Sequence, residues 1–337
     1  MVTLKEIAAA CGCSIATVSK ALNGGSDVSR AVASRIREEA AKMGYFPNAA
    51  ARTLKTNRSN VVGMLMFLRD ASVWTHGYFG SIAVNIQREM ELQGFDITPI
   101  NSQYAAERGG YLNFCRYRNY DGIVLMSAGF SEGNLMELVD SEIPLVAIDY
   151  AVKSRSAVMS DNKSGIAEML RYAVARGHRR VAFIHGEKNA VTNDRLTSFI
   201  DTARALGLSL PDDYLIPSFY NDTIACATAT NRLLELPEPP TCIFFPDDFA
   251  LIGGLNELRR RGLNAPEDIS IAGYDGISLA QRLSPEITTV AQDSVGIGRQ
   301  AARMLLREIE RPKDFVPTHM VLPCRFVPGG TIRDVAR

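Results

Sequence analysis

The sequence feature that most constrains the fold is a break between two short amphipathic segments near the N-terminus. Apolar residues first recur at helical spacing until Gly12 interrupts the pattern, and Ser14 restarts it as a candidate helix cap. The second segment, Ile15–Leu22, directs Val18 and Leu22 inward and leaves small or polar side chains outside. Two helices joined by a glycine-containing turn are typical of the helix-turn-helix unit, whose second helix enters the major groove of DNA.

A third helix is predicted after this pair, with Ser29 as its cap and its end at Met43. Its apolar stripe has helical spacing and consists of Val32, Ile36, Ala40 and Met43. The N-terminal stretch is therefore expected to form a small all-α domain.

Residues 47–54 form a short segment that begins with proline. Pro47 suits the first position of a helix, and the alanines that follow favour helical structure. An exposed Leu54 beside Arg52 and Lys55 could unstack a base step in the minor groove while the two cations hold phosphates. The alternative is an ordinary surface leucine on a four-helix structural domain.

The charge distribution supports a head that binds nucleic acid. The 337 residues carry no net charge, but residues 1–60 contain nine lysines and arginines against four acidic residues. The head therefore carries +5 and the remainder −5, a division typical of a DNA-binding domain attached to a separate sensor.

The N-terminus and the cysteines indicate a reduced, cytoplasmic protein. The first residues contain no long apolar segment, and no later run approaches the roughly 18 apolar residues of a membrane span. Cys11 and Cys13 have no second pair of cysteine or histidine at metal-binding spacing, so neither a metal nor a cofactor is predicted. The cysteines are scattered in apolar contexts that suit reduced, buried thiols: Cys11, Cys13, Cys115, Cys226, Cys242 and Cys324.

Beyond residue 60, apolar runs alternate with amphipathic segments. The predicted strands are residues 61–67, 95–100, 122–126, 144–148, 181–184, 241–245 and 269–272. The predicted helices are residues 80–93, 107–118, 134–141, 162–176, 194–205, 223–234 and 249–262. Continuous apolar strands separated by helices indicate parallel sheets that are buried on both faces. There are too many strands for one sheet, so the predicted fold class is α/β, with an all-α helix-turn-helix head and two doubly wound parallel-sheet lobes.

Polar residues follow several predicted strands at their carboxyl ends, where open α/β sheets bind ligands. Asp149 follows the run PLVAI, and Asp275 follows SIAGY. Asp247 and Asp248 follow CIFFP, and Arg195 comes after the loop that follows strand 181–184. The loop after the first strand carries Trp74, His76, Tyr78 and Phe79. Carboxylates and an arginine bind vicinal hydroxyl groups, and an aromatic face covers the apolar side of a sugar ring.

Some of these residues have structural alternatives. Asp248 could cap the helix that follows it. Trp74 could pack between lobes, and Tyr220 could be a core residue beside Phe219. The role of His76 stays open between the two interpretations.

The motifs of the common enzyme classes are missing from the sequence. No glycine-rich phosphate loop follows a strand, and neither a nucleophile elbow nor a set of cysteine and histidine metal ligands occurs. The strand-end carboxylates are not paired as nucleophile and base. The protein is therefore predicted not to be an enzyme.

Two sets of motifs resemble a known family. The stretches VTLKEIAAACGCSIATVSKALNG and GYFPNAAARTLK resemble the DNA-binding head of the lactose-repressor family of bacterial transcription regulators. The later stretches GHRRVAFIHG, FFPDDFALIGGLNELRRRGLNAPEDISIAGYDG and ITTVAQD resemble the sensor core of that family. This core is similar to periplasmic sugar-binding proteins, in which two lobes are joined by three crossing strands and hold the ligand between them.

The resemblance implies a domain organisation for the whole chain. Residues 1–46 are expected to form the helix-turn-helix domain and residues 47–60 a hinge helix with its linker. Residues 61–337 are expected to form the effector-binding core. In this core an N-lobe comprises residues 61–160 and 291–319, and a C-lobe comprises residues 161–289 and 321–337. The chain is expected to cross between the lobes near residues 160–162, 289–292 and 319–322.

The residues of both sites follow from these patterns together with the resemblance. The predicted DNA-binding residues are Ser14, Ile15, Ala16, Thr17, Ser19, Lys20, Asn23, Asn48, Ala51, Leu54 and Lys55. The resemblance implies an effector site lined by Asp149, Arg195, Tyr220 and Asp275. The polar and aromatic residues at the strand ends add Trp74, Tyr78, Phe79 and Asp248 to the predicted effector-binding residues. The sequence departs from the family at Pro246, where asparagine is frequent, and at the apolar Ile15 and Ala16. The latter two suggest contact with thymine methyl groups.

The predicted function is that of a homodimeric transcriptional repressor, which binds pseudo-palindromic operator DNA and is controlled by a small-molecule effector between the lobes. A sugar is the predicted effector, because it is the commonest in the family. Two alternatives remain at this stage. One is a regulator that depends on a purine co-repressor, and the other is a cytosolic sugar-binding protein that does not bind DNA.

Overall fold

The computed structural model describes residues 2–22, 27–46, 53, 58–66, 75–126 and 133–335. The chain divides into two compact units, Met1–Ser59 and Asn60–Arg337. The helices are α1 Leu4–Cys11, α2 Ile15–Leu22, α3 Arg30–Lys42, α4 Gly77–Glu91, α5 Ser102–Glu107, α6 Tyr111–Tyr117, α7 Gly133–Val139, α8 Asn162–Ala175, α9 Ala190–Ala205, α10 Thr223–Leu234, α11 Ala250–Arg260 and α12 Ser294–Glu310. The strands are β1 Val61–Met66, β2 Asp96–Pro99, β3 Gly122–Met126, β4 Leu145–Ile148, β5 Ser156–Ser160, β6 Val181–His185, β7 Leu215–Pro217, β8 Cys242–Phe244, β9 Ser270–Ala272, β10 Thr289–Ala291, β11 His319–Leu322 and β12 Arg325–Val327.

The helices of the first unit are bounded by local signals in the sequence. Thr3 and Glu6 form a capping box at the start of α1, in which each side chain bonds the backbone of the other residue. Gly12 ends α1 with a φ of +60°, a left-handed conformation that glycine adopts readily. The Ser14 hydroxyl then accepts the Thr17 backbone N–H at 3.1 Å, as predicted for a cap of α2.

The head has its own small core, built by one face of each helix. Ile7, Val18 and Ile36 are fully buried at its centre. In α2, Leu22 packs against this core as predicted but is only partly buried, whereas Ala21 is buried. The small alanine lies where α2 packs against the other helices, and the larger leucine lies at the edge of the contact.

The second unit contains two parallel sheets, which confirms the predicted fold class. The larger sheet has six strands in the order β11-β5-β4-β3-β1-β2, and the smaller has four in the order β7-β6-β8-β9. Every pairing in both sheets is parallel. The central strands are apolar throughout, because helices cover both faces. We call the six-stranded sheet with its helices the large-sheet lobe, and the four-stranded sheet with its helices the small-sheet lobe.

The chain passes between the two lobes three times. It leaves the larger sheet after β5 and enters α8, and it returns after β10 through α12, which packs on the larger sheet. It crosses a third time between β11 and β12, where β12 pairs antiparallel with β10. These passages bring the ends of several elements to one region between the lobes.

The sequence prediction differs from the structure in several elements. The predicted helix of residues 107–118 is interrupted, because Gly110 has a φ of +112° that a helix cannot contain, so α5 ends at Glu107 and α6 begins at Tyr111. The helix α12 and the strands β5, β7 and β12 were not predicted, and β10 and β11 were expected only as crossings between the lobes. β5 has serine at both ends and β7 spans three residues, so neither presents a long continuous apolar run.

A buried ion pair joins α12 to the larger sheet. The Arg155 Nη1 lies 3.2 Å from the Glu308 Oε1, and both side chains are about nine-tenths buried. Arg155 also donates from Nε to the Val139 carbonyl at 2.6 Å and from Nη2 to the Ser141 carbonyl. The other Glu308 oxygen accepts the Leu145 backbone N–H at 3.3 Å, at the start of β4. One guanidinium therefore satisfies a carboxylate and several loop carbonyls at once.

Within the described residues, no helix combines the length and apolar character that a membrane crossing requires.

Candidate functional site

The exposed face of α2 is the candidate DNA-contacting surface of the head. Ile15 is 49% exposed, and Ser14, Ala16 and Lys20 are also exposed, whereas Val18 faces the core. An exposed isoleucine next to an alanine suits contact with thymine methyl groups. Of the remaining predicted DNA contacts, Thr17 and Ser19 are half-buried on the same helix. The others lie outside the described residues: Asn23, Asn48, Ala51, Leu54 and Lys55.

The second candidate site lies between the lobes, at the carboxyl ends of the strands. Asp149 follows β4 in the large-sheet lobe with a φ of +60°. Its Oδ2 accepts the hydroxyl of Tyr78, from the first turn of α4, at 2.9 Å. Its Oδ1 is buried and has no hydrogen-bond partner among the described residues. Burial raises the pKa of Asp149, although the Tyr78 hydroxyl and Arg195 oppose this shift.

Arg195 projects from α9 of the small-sheet lobe into the same region. Its side chain is 3% exposed. Its Nε donates to the Asn162 Oδ1 at 2.8 Å, and its Nη1 donates to the Pro246 carbonyl at 2.9 Å. The guanidinium carbon lies 3.5 Å from the centre of the Tyr274 ring. These contacts hold the guanidinium in one orientation before any ligand is present.

Asp275 lies beside Arg195, with an Oδ1 to Nη2 distance of 3.8 Å. The same Oδ1 accepts the Gln292 Nε2 at 2.6 Å. The Gln292 Oε1 is buried and, like the Asp149 Oδ1, lacks a hydrogen-bond partner within the part of the chain that the structure describes. Burial raises the pKa of Asp275 to about 6, even though Arg195 and Gln292 oppose the shift.

Two further aspartates line the loop after β8. At the start of α11 it is Asp247, and not Asp248, that bonds the backbone of the helix: its Oδ1 accepts the Ala250 N–H at 2.7 Å. The Asp248 Oδ1 instead accepts the Thr289 hydroxyl at 2.6 Å, and its Oδ2 accepts the Ile277 N–H at 2.9 Å. Both Asp248 oxygens therefore bond within the protein, where they tie the β10 crossing to the small-sheet lobe. Its predicted effector contact stays a prediction.

Tyr78, Tyr220 and Phe79 are the predicted aromatic residues that the structure describes near this cluster. The Tyr220 hydroxyl bonds the Thr192 Oγ1 at 2.8 Å, and its ring centre lies 5.7 Å from the Arg195 guanidinium. Phe79 is half-buried, and its ring centre lies 4.9 Å from that of Tyr78. Trp74 lies outside the described residues.

His76 is a helix cap in this structure. Its Nδ1 accepts the Phe79 backbone N–H at 3.3 Å at the start of α4. Burial lowers the pKa of His76, although Asp247 opposes the shift. The lowered pKa favours the neutral ring, which can accept this bond.

Sequence reasoning missed three residues of the cluster: Asn162, Tyr274 and Gln292. Asn162 and Gln292 lie at two of the crossings between the lobes, and a polar residue at each crossing was the available signal. Tyr274 directly precedes Asp275 and reads as the end of an apolar strand. Its place under Arg195 depends on how α9 packs, which no local pattern reveals.

The raised pKa of Asp275 predicts a pH-dependent gain in stability for Asp275→Asn. Burial moves the pKa from 3.8 to about 6. Between these pH values the folded protein retains a proton that the unfolded chain releases. The free energy of unfolding therefore falls as the pH rises from about 4 to about 6, and the loss persists above that range. The asparagine variant avoids this loss, and we expect it to be more stable at pH 7 by on the order of 1 kcal/mol.

Urea unfolding of the effector-free protein at pH 4 and pH 7 measures this difference. The two proteins should have nearly equal midpoints at pH 4 and separate at pH 7. An asparagine variant that is no more stable at pH 7 would show that Asp275 carries its charge at no cost in the folded protein.

Two family models match the chain. Residues 3–48 match the model described as bacterial regulatory proteins, lacI family. Residues 170–332 match the model of the periplasmic binding protein-like domain. The first covers α1 to α3, and the second covers most of the small-sheet lobe and the later crossings.

Relatives and solved structures resemble the chain over nearly its full length. It is 28% identical over 318 residues to the HTH-type transcriptional repressor PurR of Vibrio atlanticus strain LGP32, covering 92% of both chains. It is 29% identical over 319 residues to the PurR repressor of Haemophilus influenzae strain PittEE, covering 92% of this chain and 91% of that one. The fold is similar to that of the lac repressor dimer bound to operator and the anti-inducer ONPF. The TM-score is 0.84 at 20% identity, over 98% of this chain and 99% of that one.

Proposed function

Because the chain belongs to the lacI family of bacterial regulatory proteins and is a DNA-binding transcriptional regulator, we propose that it is a repressor controlled by a small polyhydroxylated molecule held between its lobes. The proposal places α2 in the major groove of operator DNA and the effector at the cluster of Asp149, Arg195 and Asp275. The protein acts as a homodimer in the cytoplasm and carries out no catalysis of its own.

The unbonded acceptors between the lobes carry this proposal. The Asp149 Oδ1 belongs to the large-sheet lobe, and the Gln292 Oε1 belongs to the crossing segment next to Asp275. A buried acceptor without a donor costs about 1–3 kcal/mol, so such atoms are expected to receive donors from a ligand. Hydroxyl groups donate hydrogen bonds, and a sugar presents several of them along one ring.

The rest of the cluster matches a sugar in charge and shape. Arg195 presents donors for ring or hydroxyl oxygens, and the Asp275 carboxylate accepts a further hydroxyl. The rings of Tyr78 and Tyr220 lie at the edge of the cluster, where they cover apolar ring faces. A purine co-repressor would use the same carboxylates and the guanidinium, and the screen below separates the two classes.

The effector is proposed to act through the angle between the lobes. A molecule bonded to both Asp149 and Asp275 favours one lobe arrangement. In the proposal this arrangement biases the formation of the predicted hinge helix, residues 47–54, which lies outside the described residues except for Thr53. Eight residues cannot form a stable helix alone, so the segment responds to a coupling of about 1–3 kcal/mol between the sites.

A thermal-shift screen with sugars and nucleobases tests the proposal. A sugar is expected to raise the unfolding temperature, and operator binding with and without that sugar then shows whether it releases or promotes repression. Stabilisation by a nucleobase alone would replace the sugar with a purine. If no compound of either class stabilises the protein, the site between the lobes is not an effector site of this kind.

Leu54→Ala is expected to weaken operator binding at least tenfold while effector affinity stays unchanged. Leu54 lies outside the described residues, and the expectation rests on its sequence context. Shortening a leucine that inserts between two stacked base pairs removes the side chain that holds the step open. Unstacking one base step costs about a few kcal/mol, and the leucine contacts offset this cost. The measurement is a titration of operator duplex at fixed salt. Leu92→Ala is a matched control, since Leu92 is 78% exposed on the core. Equal operator affinity of the two variants would contradict the wedge.

A further inference from the structure

An ion pair connects α2 to the segment that precedes α3. The Lys20 Nζ lies 2.8 Å from the Asp27 Oδ2, and the two side chains are 52% and 65% exposed. Lys20 lies in the last turn of α2, on the exposed face that carries Ile15 and Ala16. Asp27 is therefore an acidic group at the edge of the surface that is proposed to enter the major groove.

The pair presents donors and an acceptor side by side. The Lys20 ammonium has three N–H groups, of which Asp27 uses one. Guanine offers two neighbouring acceptors in the major groove, O6 and N7, and the paired cytosine offers its N4 amino group as a donor. Lysine donates to the guanine acceptors, and aspartate accepts from the cytosine amino group. In an A·T pair the two acceptors, adenine N7 and thymine O4, lie on either side of the adenine amino donor. This arrangement does not match two donors followed by an acceptor on the protein.

We propose that Lys20 and Asp27 together read one G·C base pair in each half of the operator. Lys20 donates to the guanine, and Asp27 accepts from the cytosine while it orients the lysine side chain. This inference rests on the DNA-binding function of the head and adds a specificity-determining residue to it. The carboxylate also repels phosphates, which directs Lys20 away from sequence-independent contacts.

The size of the expected effect separates this role from a structural one. An exposed ion pair contributes little to stability, and the head has a buried core that does not include either residue. A well-placed base contact discriminates against the wrong base pair by about 5- to 150-fold. Removing the pair should therefore leave the fold intact and change which sequence is bound.

Selection of duplexes from a random pool by the full-length protein tests the inference. The natural protein is expected to select a palindrome with G·C at one symmetric position. Asp27→Asn and Lys20→Met should each lose roughly tenfold preference at that same position and keep the others. Asp27→Asn should also bind random duplex more tightly, since a negative charge is removed.

Glu39→Gln is the matched control. The Glu39 Oε2 lies 3.6 Å from the Lys42 Nζ within α3, so this variant also removes a carboxylate that pairs with a lysine. It is expected to retain the full preference of the natural protein. If Asp27→Asn keeps every base preference, or if the two variants lose preference at different positions, the inference is overturned. If the natural protein selects no sequence at all, the regulator function itself fails, which is a distinguishable result.

Discussion

Asp275→Ala is expected to abolish the response to the effector while operator binding survives. In the proposed site Asp275 accepts a hydroxyl of the ligand, and hydrogen bonds to charged groups contribute about 1.5–3 kcal/mol, or about 10- to 150-fold in affinity. The change also releases Gln292, which donates to the Asp275 Oδ1 at 2.6 Å, and leaves Arg195 without its nearest carboxylate. Two further ligand contacts are thereby misplaced, so the expected loss lies at the upper end of this range.

The measurement compares effector affinity by calorimetry with operator affinity by titration, in the same preparation. Asp201→Ala is the control, because Asp201 lies on α9 of the same lobe, and its side chain is 63% exposed and pairs with Arg204. The control should keep both affinities. An Asp275→Ala protein that still responds to the effector would remove Asp275 from the site and would leave the DNA-binding function unaffected.

Arg155→Met is expected to destabilise the core by about 3–5 kcal/mol, the range observed when one partner of a buried ion pair is removed. Glu308 would remain buried with no opposing charge at 3.2 Å, and the carbonyls of Val139 and Ser141 would lose their donor. Burial already raises the pKa of Glu308, and Arg155 is the main influence that opposes this shift. In the variant, the Glu308 carboxyl must therefore either take up a proton or reach solvent through local unfolding.

Urea unfolding of the full chain at pH 7 measures this loss. Arg116→Met is the control, since Arg116 and Glu142 form an ion pair at 2.9 Å whose side chains are 52% and 68% exposed. Exposed pairs contribute about 0–1 kcal/mol, so the control should change little. If the two variants are destabilised equally, burial does not distinguish the two pairs, and the network around Arg155 does not hold α12 to the larger sheet.

Much of the architecture follows from local patterns. Gly12 and Ser14 define the turn of the head because their conformational and capping preferences act within a few residues. The apolar strands of both sheets are recognisable because burial on two faces requires continuous apolar side chains. The short strands β5 and β7 escape prediction, since their pairing partners, and not their composition, make them strands.

The candidate site was predicted less completely. Asp149, Arg195 and Asp275 were identified because ligands bind at the carboxyl ends of parallel strands, a rule that depends on topology alone. This rule could not tell which of Asp247 and Asp248 bonds the start of α11, because adjacent carboxylates after the same strand differ in which backbone N–H each one faces.

The sequence by itself determined the class of this protein: a basic helix-turn-helix head joined to two parallel-sheet lobes, with carboxylates and an arginine at the strand ends. Helix caps, apolar periodicity and charge distribution are local properties, and they are legible without coordinates. The tertiary structure alone shows which polar atoms between the lobes form hydrogen bonds within the protein. It also shows which of them have no hydrogen-bond partner among the described residues. That distinction depends on distances between residues such as Tyr78 and Asp149, which are far apart in the chain and meet only after the large-sheet lobe has folded.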